Sequence, residues 1–381
     1  MAEAGKQAGG GLRNVVAGES RISSIDGTRG ILAYGGIDIH ALAEHSTFEE
    51  VVFLLHRGTL PTREELDRLR GELQRQREVP RSLLDVLREL PRRAHPMTSL
   101  RTLVSALAAH DPDADDDGVP AARRKALRLV AQTATLVAAI GRVRGGKGSV
   151  PPDSSLSHAA NFLFMLTGER PSADAARVMD VVLILHADHE FNASTFTARV
   201  AASTLADVHA AVTAALATLK GPLHGGANEA VMRMLEEVAE PDRAAAWVRE
   251  ALGGRKRVMG FGHAVYRTED PRATVLRRLS KQMAEKAGER RWYEISTRIE
   301  AAVREAKGLY PNVDFFSASL YRVMGIPTDL FTPVFAASRM AGWTAHVLEQ
   351  VENNKLIRPE SEYLGPRDVP YVPGEGRRAR P

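Results

Sequence analysis

The sequence predicts an all-α protein with a small N-terminal β-hairpin, on three observations. From Ser46 onward, apolar residues recur at the helical spacing i, i+3, i+4, i+7 in one segment after another. Pro and Gly punctuate those segments, at Gly168, Pro171, Gly221-Pro222, Gly253-Gly254 and Pro327. Strand-like and helix-like runs do not alternate, which argues against a doubly wound α/β sheet.

The elements follow in order. Residues 1–12 are rich in Gly and Ala and are expected to fray. Arg21-Ile22-Ser23-Ser24-Ile25 and Gly30-Ile31-Leu32-Ala33-Tyr34 flank Asp26-Gly27, the pattern of a hairpin and the one convincing β signal. Thr62-Arg63-Glu64-Glu65, after Pro61, is a capping box that opens a charged helix to about Gln76. Helical periodicity then marks 121–140, 155–167, 172–187, 206–219, 227–239, 271–287, 292–307 and 330–350. Asp314 is in position to cap a further helix over 315–323. The tail Gly376-Arg377-Arg378-Ala379-Arg380-Pro381 is basic and expected to be disordered.

A chain of 381 residues is long enough for two domains and a sizeable core. Its 51 Lys+Arg against 47 Asp+Glu leave a net charge of only +4, too thin a surplus for a nucleic-acid binder. Arg255-Lys256-Arg257 is short and lacks interleaved aromatics, but it leads into a Gly-rich turn suited to a phosphorylated ligand. Cys is absent, which excludes disulfides, a thiolate nucleophile and Cys-ligated metal. No apolar leader precedes Lys6 and no run approaches the ~18 apolar residues of a membrane span, so a cytoplasmic protein is expected. Asp111-Pro112-Asp113-Ala114-Asp115-Asp116-Asp117-Gly118 looks like the start of a calcium loop. Counted from Asp111, however, Asp116 stands where Gly is needed and Ala122 where Glu is needed, so a solvated acidic loop is expected.

Four polar clusters stand out: His186-Ala187-Asp188-His189-Glu190-Phe191-Asn192; Gly221-Pro222-Leu223-His224-Gly225-Gly226-Ala227-Asn228; Gly260-Phe261-Gly262-His263-Ala264-Val265-Tyr266-Arg267, running on to Asp270-Pro271-Arg272; and Tyr310-Pro311-Asn312-Val313-Asp314. Each has a plain structural reading. His186 and His189 with Glu190 fit either a helix C-terminus satisfying free carbonyls or a pair of metal ligands. The Gly-rich turns around His224 and His263 are also compatible with simple helix breaks.

Taken together, and in this order, the clusters resemble the citrate synthase family in its short bacterial and archaeal form, with 2-methylcitrate synthase as the near relative. The resemblance runs from about Gly11 to Pro370 and rests most firmly on residues 221–228, 260–267 and 311–314. It implies condensation of acetyl-CoA with oxaloacetate and hydrolysis of the thioester. Removing a weakly acidic methyl proton needs a carboxylate base and a neutral donor for the developing enolate. By resemblance Asp314 is that base, His224 the donor at the thioester oxygen, and His263 the acid at the oxaloacetate ketone. A dicarboxylate calls for bidentate Arg. Arg272 and Arg339 match carboxylate-binding positions, and Arg358 matches the one contributed across a homodimer interface. His189 matches an oxaloacetate-binding position with Asn192 beside it, while His186 is expected to be structural.

The same resemblance puts CoA against Val258, Met259, Gly260 and Gly262, with Arg267 and Lys307 as phosphate contacts. It implies no metal and no permanently bound cofactor, acetyl-CoA and CoA being co-substrate and product. It further implies a citrate synthase fold with a large helical domain (1–225 and 327–381) and a small one (226–326) that closes over oxaloacetate, and a dimer lacking the NADH control of longer forms. Ala264 after His263 is more like citrate than 2-methylcitrate enzymes. A metal-dependent enzyme built on His186, His189 and Glu190 is the remote alternative, and it leaves His224, His263 and Asp314 unexplained.

Overall fold

The computed structural model describes residues 15–373; the Gly/Ala-rich start (1–12) and the basic tail (376–381) lie outside them. β1 (Ser23–Asp26) and β2 (Ile31–Tyr34) form the expected antiparallel hairpin, with Ile25 opposite Leu32. Asp26 Oδ1 accepts the N–H groups of Thr28 and Arg29, which shapes the turn. The hairpin is also part of a three-stranded sheet, because β3 (Ile37–Asp38) pairs with β2. Two residues show no alternation, so this strand leaves no sequence pattern.

Helices make up nearly all the rest. The first six are α1 (Ile39–His45), α2 (Phe48–Arg57), α3 (Arg63–Arg75), α4 (Arg81–Glu89), α5 (Pro96–Leu107) and α6 (Val119–Arg144). They continue with α7 (His158–Thr167), α8 (Ala173–His186), α9 (Ala193–Ser203), α10 (Val208–Leu219) and α11 (Ala227–Val238). The last are α12 (Ala244–Gly253), α13 (Pro271–Ala287), α14 (Arg291–Lys307), α15 (Val313–Val323) and α16 (Phe331–Glu352). Complete capping boxes, Thr47 with Glu50 and Thr62 with Glu65, start α2 and α3. Ser157, Ser172, Asn192, Asp207, Asp270 and Asn312 cap α7 to α10, α13 and α15 by accepting a backbone N–H.

The core is built around α6 and α16. Nearly every residue of α16 from Phe331 to Leu348 is buried, including Trp343, and this helix packs on α2, α6, α8, α9 and α10. Each large apolar side chain buried there contributes about 1.5–3 kcal/mol, which makes α16 the axis of the fold. Helix α6 is long and apolar enough by composition to cross a membrane, but 72% of its apolar window is buried inside the protein, as in a core helix. Helices α11 to α15 pack chiefly on one another, α15 lying against α11, α13 and α14, and α12 against α14.

The acidic loop is solvated as expected at Asp115, Asp116 and Asp117, but its first two aspartates are tied down. Asp111 and Asp113 both bind Arg128, Asp113 also takes Arg124, and His209 Nε2 lies 3.4 Å from Asp111, whose side chain is 2% exposed. Buried Lys125 donates to the carbonyls of Ala114 and Asp116. The cations that order this loop come from α6 and the imidazole from α10, beyond the reach of a local pattern.

Candidate active site

Four segments bring their polar side chains together: the α8–α9 connection, the turn before α11, the turn and first residues of α13, and the first turn of α15. Arg339 joins them from the middle of α16. The His189 ring stands edge-on to His263, with centroids 5.1 Å apart, and its Nε2 lies 3.2 Å from the Tyr266 hydroxyl. His189, Arg272 and Arg339 are buried, while His224, His263 and Asp314 are partly so.

Hydrogen bonding assigns the tautomers. His263 Nδ1 accepts the N–H groups of Val265 and Tyr266 at 3.0 and 3.2 Å, so the ring proton sits on Nε2, free to donate. His224 Nε2 accepts the Ser194 N–H at 3.3 Å and lies 2.8 Å from its hydroxyl, which puts the proton on Nδ1. Ser194 is itself held: its hydroxyl accepts from Trp343 Nε1, and its single proton is shared between His224 Nε2 and Asn192 Oδ1, each at 2.8 Å. Burial, reinforced by neighbouring arginines, pushes His224 and His263 down to about 4 and His189 well below its ordinary value. At neutral pH all three rings are uncharged, and two offer an N–H.

Asp314 is the opposite case. No hydrogen bond holds its carboxylate among the described residues, and burial raises its pKa to about 7 against the attraction of Arg272 and Arg339, with Asp270 adding repulsion. Its helix start is fixed by Asn312, which accepts the Asp314 N–H at 3.1 Å. Asn312 also stitches Asp314 to the His263 turn. Its N–H donates to Gly260 O at 2.9 Å and its Nδ2 to Gly262 O at 3.0 Å, while Gly262 N–H donates to Tyr310 O at 3.0 Å. Phe261 and Pro311 form a β-bridge within this stitch. Gly260 has φ +81°, and a Cβ there would lie 2.8 Å from both Phe315 and Val231.

The two arginines differ. Arg272 pairs with Asp270 through Nε and Nη2 at 3.0 and 2.8 Å. Arg339 donates from Nε to His186 O at 2.7 Å and lies 4.6 Å over the Phe335 ring, but among the described residues no carboxylate lies within ion-pair distance. Burial lowers it to about 10, so it stays a cation at neutral pH. A buried guanidinium that touches no carboxylate, its charge offset only at a distance by Asp188 and Asp314, is a ready anion site.

His186, Glu190 and His189 do not converge. His186 donates from Nδ1 to Val182 O at 2.8 Å, Glu190 accepts the Ile25 N–H at 2.6 Å, and His189 faces Tyr266. No group of three or more His, Asp or Glu among the described residues is disposed to hold a metal ion. His186 packs edge-on to Phe335 and lies near Tyr321, within the core. The Asn192 amide is fully engaged, accepting from Ser194 Oγ and the Thr195 N–H and donating to Thr195 Oγ1 and the carbonyls of His189 and Glu190.

Residues 11–360 match the family described as citrate synthase, C-terminal domain. The chain belongs to the citrate synthase family. It is 50% identical to the citrate synthase of Haloferax volcanii over 372 residues, covering 96% of this chain and 98% of that one. It is 43% identical to the 2-methylcitrate synthase of Shewanella oneidensis, covering 97% and 98%. Its fold matches citrate synthase from Thermoplasma acidophilum, solved in ternary complex with carboxymethyl coenzyme A and oxaloacetate, with TM-score 0.89, 36% identity and coverage of 96% and 98%.

Of the residues expected from the citrate synthase resemblance, His189, His224, His263, Arg272, Asp314 and Arg339 meet in one site, with Asn192 beside them. Val258, Met259, Gly260 and Gly262 form the adjoining turn. Three others stand apart within this chain. The Lys307 side chain is exposed at the end of α14, and that of Arg267 is also exposed. Exposed Arg358 follows α16 and lines a cleft of about 1250 Å³ with Phe191, Arg199 and Glu349. Ser194, Tyr266, Asp270, Asn312 and Trp343 carried no role in the sequence reading. The dipeptide offset of Asp270 from Arg272 was the one visible hint, and it reads equally as a helix cap.

Proposed function

We propose that this enzyme condenses acetyl-CoA with oxaloacetate and hydrolyses the resulting thioester to citrate and CoA, in the tricarboxylic acid cycle of the cytoplasm. The observation that carries this reading is one arrangement: an unpaired carboxyl poised near pH 7 beside two neutral imidazoles, each with one free N–H. Asp314 removes a proton from the acetyl methyl carbon, and the electron pair moves toward the thioester oxygen, which accepts a hydrogen bond from His224 Nδ1–H. The nucleophilic carbon attacks the oxaloacetate ketone, whose oxygen takes the proton from His263 Nε2. Water then cleaves the thioester and CoA departs.

Arg339, Arg272 and His189 bind oxaloacetate, Arg339 supplying a positive charge that no carboxylate of the protein touches. Asn192, its amide fully engaged by the protein, acts by holding the His189 carbonyl and, through Ser194, the His224 ring. The turn of Val258, Met259, Gly260 and Gly262 receives CoA, with Arg267 and Lys307 as exposed cations near its phosphates. The active form is a homodimer in which Arg358 reaches the neighbouring subunit's site. Residues 226–326 form a small domain, supported by the mutual packing of α11 to α15, that closes on the large one (1–225 and 327–381) when oxaloacetate binds. The reaction uses acetyl-CoA as co-substrate, with no metal and no permanently bound cofactor.

A second reading, 2-methylcitrate synthesis from propionyl-CoA, draws support from the 43% identity to such an enzyme over 97% of the chain. One methylene in an apolar pocket is worth only about 1–3 kcal/mol, so the two substrates are separated by degree. The test is CoA release with oxaloacetate and either acetyl-CoA or propionyl-CoA, with Asp314→Asn in parallel. An acetyl preference abolished in the variant is expected. A propionyl preference selects the second reading, and no release with either acyl-CoA overturns both.

A further inference from the structure

We infer that the N-terminal sheet is a positioning device for the active site, gripping the His189 loop with its strands and the His263 turn with its hairpin tip; this rests on the proposed roles of those two histidines. On one side, Tyr34 Oη donates to the carbonyls of Ile184 and Asp188, at 3.2 and 2.9 Å, and accepts the Asp188 N–H at 3.2 Å. Ser23 Oγ binds Asp188 Oδ2 and accepts the Glu190 N–H at 3.1 Å, while Ile25 N–H donates to Glu190 Oε1 at 2.6 Å. Between them these bonds hold Glu190 at φ +49°, a left-handed conformation that strains a non-glycine residue. His189 therefore enters the site from a strained backbone that the sheet holds in place.

On the other side, Gly27 O accepts the Arg267 N–H at 2.7 Å, four residues after His263 and directly after Tyr266. A Cβ on Gly27 would lie 2.3 Å from the Val265 carbonyl oxygen, and one on Gly30 would lie 2.8 Å from Thr268 Cγ2. The contact at Gly27 is with backbone, so no side-chain rotation relieves it. Gly27 also lies outside the positive-φ set, so Ala is tolerated there by the local backbone and the collision is with the His263 turn alone. Val265 and Tyr266 supply the N–H groups that fix the His263 tautomer, so displacing Val265 disturbs the proton donor directly.

The same sheet contains its own control. Gly36, with φ +82°, sits between β2 and β3, and a Cβ there meets nothing within 4 Å. Gly36→Ala strains the sheet without touching either loop. The experiment compares wild type, Gly27→Ala, Gly36→Ala and Ser23→Ala for thermal unfolding, oxaloacetate affinity by calorimetry, and kcat from CoA release. Gly27→Ala is expected to lower kcat at least tenfold while Gly36→Ala stays within twofold of wild type at equal or greater loss of stability. Ser23→Ala, which removes the sheet's bonds to Asp188 Oδ2 and to the Glu190 N–H and leaves that N–H only Asp188 Oδ2, is expected to weaken oxaloacetate binding at least fivefold with a smaller change in kcat, and it decides the matter if Gly27→Ala does not fold. Equal kcat in the Gly27 and Gly36 variants, or unchanged oxaloacetate affinity in Ser23→Ala, overturns the inference while an active wild type leaves the proposed function standing. A wild type that releases no CoA overturns the function itself.

Discussion

Arg272 grips Asp270 through two guanidinium nitrogens at 3.0 and 2.8 Å, with side chains 2% and 1% exposed. Arg339, equally buried, has no such partner, and the two residues are predicted to respond oppositely to neutralisation. Arg272→Gln leaves a buried carboxylate alone and is expected to cost about 3–5 kcal/mol of stability. Arg339→Gln removes a cation that touches no carboxylate and is expected to leave stability nearly unchanged while weakening oxaloacetate binding by about 2–5 kcal/mol. Urea unfolding and calorimetry check both; comparable destabilisation in the two variants would refute the distinction.

The pH dependence follows from Asp314. With its pKa at about 7, it is protonated and unable to act as base at lower pH. The slope of log kcat/KM is expected to approach one below that value, with His224 and His263, at about 4, adding no second limb between pH 5 and 7. A flat profile down to pH 5 would remove Asp314 from the role of base.

Stability and activity oppose each other at the same residue. Because the folded-state pKa of Asp314 is raised, its ionised form destabilises the fold, fully above about pH 7 and not at all below its unfolded value near 3.8. Asp314→Asn is expected to lower kcat by about 10²–10⁴-fold yet stabilise the protein at pH 8 by roughly 1–3 kcal/mol. That gain should vanish as pH falls toward 4, as thermal unfolding across pH will show.

Ser194→Ala removes one of the two groups on His224 Nε2 and the link to Trp343, but keeps the backbone N–H. The expected result is a kcat lower by about tenfold, with oxaloacetate affinity preserved. Loss of oxaloacetate affinity instead would mean that Ser194 supports the pocket and not the ring.

The proposed sharing of Arg358 between subunits makes a complementation test possible. Mixed and reassociated Asp314→Asn and Arg358→Ala chains, each nearly inactive alone, produce one intact site per mixed dimer. Recovery of about a quarter of wild-type activity is expected. No recovery would place Arg358 outside the partner's site.

Much of this was legible in the sequence. His224, His263 and Asp314 stand out because each interrupts apolar helices with polar and Gly-rich turns, and 271–287 is a helix over the very span its periodicity marks. What escaped is mostly nonlocal. Ser194 looks like an ordinary first-turn serine until α10 ends beside it and presents His224. Asp111 and Asp113 look solvated because Arg128 arrives from 17 and 15 residues away. Arg339 is visible as an arginine in an apolar helix, but its lack of a counter-ion exists only once α16 is packed. Helices α1, α4 and α12 are short, and ten residues or fewer give periodicity little to repeat.

The stitch between residues 260–262 and 310–312 has a mechanical consequence. In the proposed reaction, the imidazole that gives up a proton and the carboxyl that takes one ride on two segments buttoned together, so a tilt of either carries the other with it. His224, on a separate turn, is the anvil against which that two-headed tool must land. On that proposal base and acid arrive together, so the acetyl methyl group meets its base only when the ketone already faces its proton donor.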